Sequence, residues 1–495
     1  MALDPVFGSV RINEKTDIAE KELKTDCKTE IPSDTVSRVL DVSAFCGGAE
    51  YSAENGEVFG TVIFNVIYSA SDGTVKKYEC AQEFSEKITE DLSGKTFIPH
   101  VRIEKTAADV SGTRLSVYSV MSVGGKICSV KEFSYLSGGN GLVLDSEEKT
   151  EVKSFGVKKA TFPVEEEIEL PYEVAEVLSQ QAQAVITDVQ CGVGAIIIDG
   201  EAFATALLLQ NSENGDIIKE EKIIPFRFEL QCDEAMPVNV ATADVSVKSI
   251  RSDISVDTES GKSTATVLVA INVVGEAFSE ETLSLAADAF SETENTSLAF
   301  SQAEYSLPCG VKSEKRQVGG RCSAGIPAGA SIAAVKDETL EIVSLKTDKG
   351  IFLQGVFSVK ALFKDADGKL GSITLETPVE FKEDKGEWDG AEIRVIACAG
   401  KVRPISETES EISGEIKITA AYSKLKKIKF VSGIESTGEK TVSDAAISVY
   451  IPLEGESLFS LAKRLSVRPE KLIETNKELN FPLSGKERIV IYRQM

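Results

Sequence analysis

The sequence predicts a mainly all-β chain, with three tandem β domains followed by a small βααβ module at the C-terminal end. Three observations predict it. Short apolar runs rich in β-branched residues alternate with polar ones and are separated by Asp, Asn, Gly and Ser, which is the pattern of strands and turns. One hairpin-like pattern recurs three times at long intervals. The final stretch switches to helical spacing between two short apolar runs. The expected divisions are a leader at 1–20, β domains at 21–150, 151–295 and 296–440, and the module at 447–495. At about 150 residues per domain, a 495-residue chain has room for three or four.

The first repeat begins at Gly60, runs through an apolar strand to Tyr68 and turns at Asp72-Gly73. The second begins at Gly200, runs to Leu209 and turns through Asn-Ser-Glu-Asn-Gly215. The third begins at Gly355, runs to Phe363 and turns at Asp367-Gly368. Asp-Gly and Asn-Gly supply the positive φ that tight hairpins need. Each repeat closes on a further β stretch: Arg114–Val120, Thr266–Val273 and Glu415–Tyr422. Spacings of 140 and 155 residues between the leading glycines are too long for a solenoid and imply whole domains. Glu276–Ala287 reads equally as a short helix or as a loop between strands.

In the module, Val449–Leu453 reads as a strand and Gly455-Glu-Ser-Leu458 as a loop, with Ser457 placed to cap a helix. Leu458, Leu461, Ala462 and Leu465 form one apolar helical face. Val467 turns the chain, and Pro469 suits the first position of a second helix through Leu472, Ile473 and Asn476. Gly485 closes a turn into a last strand, Arg488–Tyr492.

Composition narrows the function. A net charge of −25 argues against nucleic acid and against anionic membranes, both of which need clustered Lys and Arg. From Ser448 onward eight Lys and Arg oppose six Asp and Glu, so the module carries +2 and the remainder −27. Lys463, Arg464, Arg468 and Lys471 cluster there, as a solvated face or as a contact for an acidic partner. The N-terminus lacks a basic start followed by an apolar run, so a cytosolic chain is expected. Nine scattered cysteines without a C-x-x-C pair fit reduced, structural thiols; cross-linking in an oxidised assembly is the other reading.

No catalytic residue, metal site or cofactor is expected. The one histidine, His100, has no nucleophile elbow to serve. Gly261-Lys-Ser-Thr264 lacks the earlier glycine of a phosphate cradle, which would fall at Val256. Asp365-Ala-Asp-Gly368 reads as a hairpin turn, because the bidentate Glu of a calcium loop would fall at Thr374.

The repeated β pattern, across most of Glu20–Glu439, resembles the SPOCS domain of spore-coat-associated proteins of endospore-forming Firmicutes. The C-terminal segment resembles a LysM module, with Gly455-Glu-Ser-Leu458 in place of the family's Gly-Asp-Thr-Leu. The resemblance implies a non-catalytic scaffold made in the mother-cell cytoplasm and assembled at the forespore surface. Its partner would be the morphogenetic ATPase of the coat basement layer. The LysM groove would lie between Gly455, Glu456, Ser457 and Leu458 and the loop at Phe481, Pro482 and Leu483. The same groove alternatively implies binding of N-acetylglucosamine glycan, as in peptidoglycan of the wall or cortex. Two departures stand out. Phe459 replaces a frequent Trp, and the stretch from Asn476 to Gly485 is short. A further reading is that Leu458 and Phe459 are simply core.

Overall fold

The computed structural model describes residues 3–30, 36–111, 114–212, 215–257, 259–441 and 446–492. It is mainly β, built from three-stranded antiparallel sheets. Unit one contains β1 (Asp4–Glu30), β2 (Arg38–Ser52), β3 (Glu57–Ser69), β4 (Val75–Lys87), β5 (Thr96–Ser111) and β6 (Arg114–Asn140). Unit two contains β7 (Leu142–Leu170), β8 (Val174–Cys191), β9 (Ala195–Gln210), β10 (Ile217–Gln231), β11 (Val240–Asp257) and β12 (Lys262–Ser291). Unit three contains β13 (Glu294–Cys322), β14 (Ser331–Lys346), β15 (Gly350–Lys364), β16 (Leu370–Asp384), β17 (Gly390–Ser406) and β18 (Glu409–Glu439).

All three units share one topology. The first, sixth and fifth strands form one sheet with the sixth in the centre, and the second, third and fourth form a meander. The two sheets face each other as a sandwich. In unit one, Val62, Phe64 and Val66 of β3 pack against Leu115, Val117 and Met121 of β6. Units two and three repeat this, with Ile196 and Ile198 over Val269 and Ile271, and Phe357 and Val359 over Ile416 and Ile418.

The repeat glycines sit in the first half of the third strand of each unit, beside a β-bulge of the second. A Cβ on Gly60 would strike the Phe84 ring, and one on Gly200 the Phe226 ring. At these two positions a cross-strand aromatic lying over the backbone requires glycine, and at Gly355 the Glu341 carbonyl oxygen takes the space. The turns at Asp72-Gly73 and Asp367-Gly368 fall between the third and fourth strands, with Gly73 and Gly368 at positive φ. In the corresponding turn of unit two, Glu213 and Asn214 lie outside the described residues.

Two expectations are corrected. Residues 4–20 are not a leader: they belong to β1, hydrogen-bonded along β6. Glu276–Ala287 is neither helix nor loop but part of β12, paired to β7. Bulges at Glu276/Phe278 and Ala286/Asp288 break its alternation, which hid the strand.

The central strands outrun their sandwiches. From Ser129, Ser279 and Lys424 onward, β6, β12 and β18 pair only with β1, β7 and β13, forming three two-stranded arms. The arms share a core of Val10, Ile12, Phe278, Leu285, Tyr305 and Phe430, continued by Leu136, Ala289 and Ile434. The meanders share another core. There Ile67, Leu207 and Leu362, each seven residues beyond its repeat glycine, meet Leu40, Leu178 and Ala334. Each unit touches both others. Asn65 Nδ2 donates to Leu178 O at 3.1 Å, Lys417 Nζ to Glu201 at 2.5 Å, and Lys126 Nζ to Glu392 at 2.6 Å.

Beside the meander core lies a buried ionic cluster. The Asp41 carboxylate of unit one accepts from both Lys336 and Lys360 of unit three, and Lys336 is 3.3 Å from Asp337. The Asp41 side chain is fully buried and that of Lys336 is 3% exposed. Burial alone would raise the Asp41 pKa, but the two ammonium groups hold it below the ordinary carboxylate value. Deleting one partner of such a pair leaves an uncompensated buried charge. Asp41→Asn is therefore expected to cost about 3–5 kcal/mol, read as an earlier midpoint in urea denaturation followed by circular dichroism. An unmoved midpoint would show that the cluster does not hold the units together.

Candidate functional site

The C-terminal module contains β19 (Ile447–Tyr450), α1 (Leu458–Leu465), α2 (Pro469–Thr475) and β20 (Ile489–Tyr492). β19 and β20 pair antiparallel, with Ile447 opposite Tyr492 and Tyr450 opposite Ile489. The Ser457 hydroxyl caps α1 by accepting from Ser460 N at 3.1 Å, and Pro469 opens α2. Leu461, Ala462, Leu465, Leu472, Ile489 and Ile491 form the core.

That core is completed from outside the module. Phe290 of β12, 1% exposed, inserts among these side chains and meets the Phe459 ring edge-on at 5.4 Å. Phe459 and Leu458 are half-buried against the same core. Around this plug, Lys463 Nζ contacts both Asp288 oxygens at 2.6 and 2.8 Å, and Arg468 Nε donates to Glu292 at 2.9 Å. Lys440 Nζ donates to Ser291 O at 2.7 Å and to Ser466 Oγ at 2.8 Å.

The basic cluster therefore reads differently from the sequence expectation. Lys463 and Arg468 fasten the module to the tip of the unit-two arm, and Arg464 forks onto Glu456 within the module at 2.8 Å on both oxygens. Only Lys471, exposed on α2, has no described charge partner among the described residues. Sequence proximity showed the cations; their partners at Asp288 and Glu292 lie more than 170 positions away and were not legible.

The two loops expected to form a groove do meet. Gly455 N donates to Leu483 O at 2.8 Å, and Leu483 N donates to Glu456 O at 3.0 Å. Gly455, at φ +78°, permits the turn. Of the seven groove residues, Leu483 is core, and Glu456 is buried between Arg464 and the Leu453 N–H. Gly455, Ser457 and Pro482 are exposed, with Leu458 and Phe481 half-buried beside them. One feature went unread: Ile447, Val449, Ile451, Leu453 and Tyr492 are each more than half exposed on one side of the module. Their alternation was visible in the sequence as Ile-x-Val-x-Ile-x-Leu.

Elsewhere, His100 is exposed on β5 opposite Gly124. Gly261 belongs to the turn entering β12, and Ser263 accepts from Val174 N at 3.0 Å. Asp365 Oδ1 accepts from the backbone of Asp367 and Lys369, as a hairpin turn requires. The nine cysteines are free thiols. Among the described residues, no helix is long and apolar enough to cross a membrane. Comparison with protein-family models, with curated proteins and with solved structures found no match.

Removing the plug should cost the module its packing. Phe290→Ala is expected to destabilise it by about 3–5 kcal/mol, seen as faster tryptic cleavage within 446–492 while the β units stay protected. Equal protection of the module in variant and parent would refute this.

A second outcome concerns acid. Hydrogen bonding from Arg464, against the cost of burial, holds the Glu456 pKa below the ordinary value. The pair therefore supports the module fully above about pH 4.3, and that support is lost as the pH falls through the lower folded value. The protection of the α1 amides, taken relative to their intrinsic exchange at each pH, should fall on acidification in the parent and change less in Glu456→Gln. Identical acid profiles would argue against the pair.

Proposed function

We propose that this chain is a non-catalytic scaffold or adaptor of endospore coat assembly, whose LysM-like module docks a coat morphogenetic partner. That partner is the ATPase of the coat basement layer, the one implied by the SPOCS and LysM resemblances. The observation that carries the reading is the mounting of the module. Phe290, Asp288 and Glu292 hold it in one orientation on a three-unit β body, while Gly455, Ser457 and Pro482 stay exposed. A recognition loop fixed on a rigid body loses little freedom on binding. The commitment of Phe459 to Phe290 favours protein over glycan, because it removes from the open surface a ring on which a sugar would stack.

The test uses the full chain, since the module's core is incomplete without Phe290. Binding to the purified ATPase is measured in solution, and binding to purified peptidoglycan by co-sedimentation. The expected result is capture of the ATPase, loss of capture in Leu458→Arg with circular dichroism unchanged, and no retention on peptidoglycan. Retention on peptidoglycan without ATPase binding would replace this reading with glycan recognition.

A further inference from the structure

In unit one, β1 and β4 are edge strands of opposite sheets, and among the described residues no backbone ladder joins them. They meet along one margin of the sandwich in a single antiparallel alignment. Lys21, Leu23, Thr25 and Cys27 are the less exposed positions of this part of β1, and Cys80, Gln82, Phe84 and Glu86 those of β4. Lys21 Nζ donates to Glu86 at 3.1 Å and to Lys87 O at 2.7 Å. Six residues forward on β1 and six back on β4, the same alignment sets Cys27 against Cys80. There the two thiols touch, with Cys80 donating a hydrogen bond to Cys27. Both are free, half-buried and packed against the core of Val62, Phe64 and Leu115. The matching edges of the other units carry ion pairs, Lys222 with Glu166 at 2.8 Å and Lys312 with Glu383 at 2.6 Å. Neither edge has a cysteine on both strands, since β7, β10 and β16 contain none.

We propose that Cys27 and Cys80 form a reversible disulfide site, whose oxidation covalently closes this edge of the unit-one sandwich. The oxidant is a low-molecular-weight disulfide. The Cys27 thiolate attacks one of its sulfurs, forming a mixed disulfide and expelling a small thiolate, on which the Cys27 proton ends. Cys80 then loses its proton and attacks the Cys27 sulfur, and the second small thiolate leaves and takes that proton. Two protein thiols are thereby oxidised to one S–S bond, and one small disulfide is reduced to two thiols. The order follows from the surroundings. Burial first, and then the hydrogen bond to Cys27, push the Cys80 thiol up to about 12, so attack starts at Cys27. Once Cys27 is in the mixed disulfide its charge is gone, and one influence that keeps Cys80 protonated goes with it. The half-buried position leaves the pair open to a small oxidant at the margin of the sandwich. Cys46, in the same unit, points its thiol at Gly48 O, 3.9 Å away. A reducing cytosol keeps the pair as thiols, and an oxidising setting ties β1 to β4. This site stands whatever the C-terminal module binds.

The full chain is incubated with glutathione disulfide, its remaining thiols are alkylated, and its tryptic peptides are mapped by mass spectrometry without reduction. The expected product joins Thr25–Lys28 to Tyr78–Lys87 within one chain, and dithiothreitol separates them. The link should form at least about tenfold faster in the folded chain than in urea, because the fold holds the two thiols together. Cys80→Ser should trap the mixed disulfide on Cys27, Cys27→Ser should leave Cys80 alkylated, and Cys46→Ser should leave the link unchanged. Oxidation should raise the midpoint of urea denaturation in the parent and not in Cys80→Ser, because the bond constrains the unfolded chain. Recovery of both peptides unlinked overturns the proposal, as does linkage of either to another cysteine or only between copies. A link that forms no faster in the folded chain than in urea overturns it equally.

Discussion

At the junction where three meanders meet, Ile67, Leu207 and Leu362 bury one another, and the Asp41 carboxylate lies beside them between two lysines. All three units contribute to this one contact. An isolated six-stranded sandwich covers its own core but leaves the outer ends of its third strand apolar. Repeating that strand three times at one position, seven residues past a glycine, gives three such ends that can only be covered by each other. The ionic cluster adds direction to a non-directional apolar contact. Asp41 belongs to unit one and its lysines to unit three, so unit one cannot neutralise its buried carboxylate alone.

What was legible in the sequence follows from how local the determining interaction is. The repeat glycine, the Asp-Gly turns, the Ser457 cap and the Pro469 start are set within a few residues, and each stands where the sequence put it. The first strand was missed because β1 is an edge strand whose outward positions carry Glu, Lys and Asp, leaving sparse inward anchors such as Val10 and Ile12. The long run of β12 was missed because two bulges reset its alternation. The Lys463 and Arg468 pairings, with Asp288 and Glu292, are formed only by tertiary docking, so nothing near either cation foretold them.

For the candidate site, the sequence showed which loops approach each other but not which of their side chains remain available. Glu456 and Leu483, expected by resemblance to line the groove, are buried, the one paired with Arg464 and the other in the module's core. Phe459 meets Phe290 edge-on and so belongs to the contact between the module and the unit-two arm. The part of the two loops that stays exposed is small, at Gly455, Ser457 and Pro482. The module is thus less a free domain on a tether than the last layer of the unit-two arm.

The pairing of first strand with last has a consequence for synthesis. Asp4 finds its ladder partner at Asn140, Leu142 at Ser291 and Glu294 at Glu439. At a ribosomal rate of roughly 5–20 residues per second, β1, β7 and β13 each wait on the order of ten seconds with an unpaired edge. Such an edge invites pairing with the wrong neighbour. The dense Glu and Lys on β1 and β7 make these strands poor templates for one another while they wait. Nascent units with near-identical topology emerge one after another on this chain. Charge on the waiting strand guards against the swapped pairings that such repetition would otherwise favour.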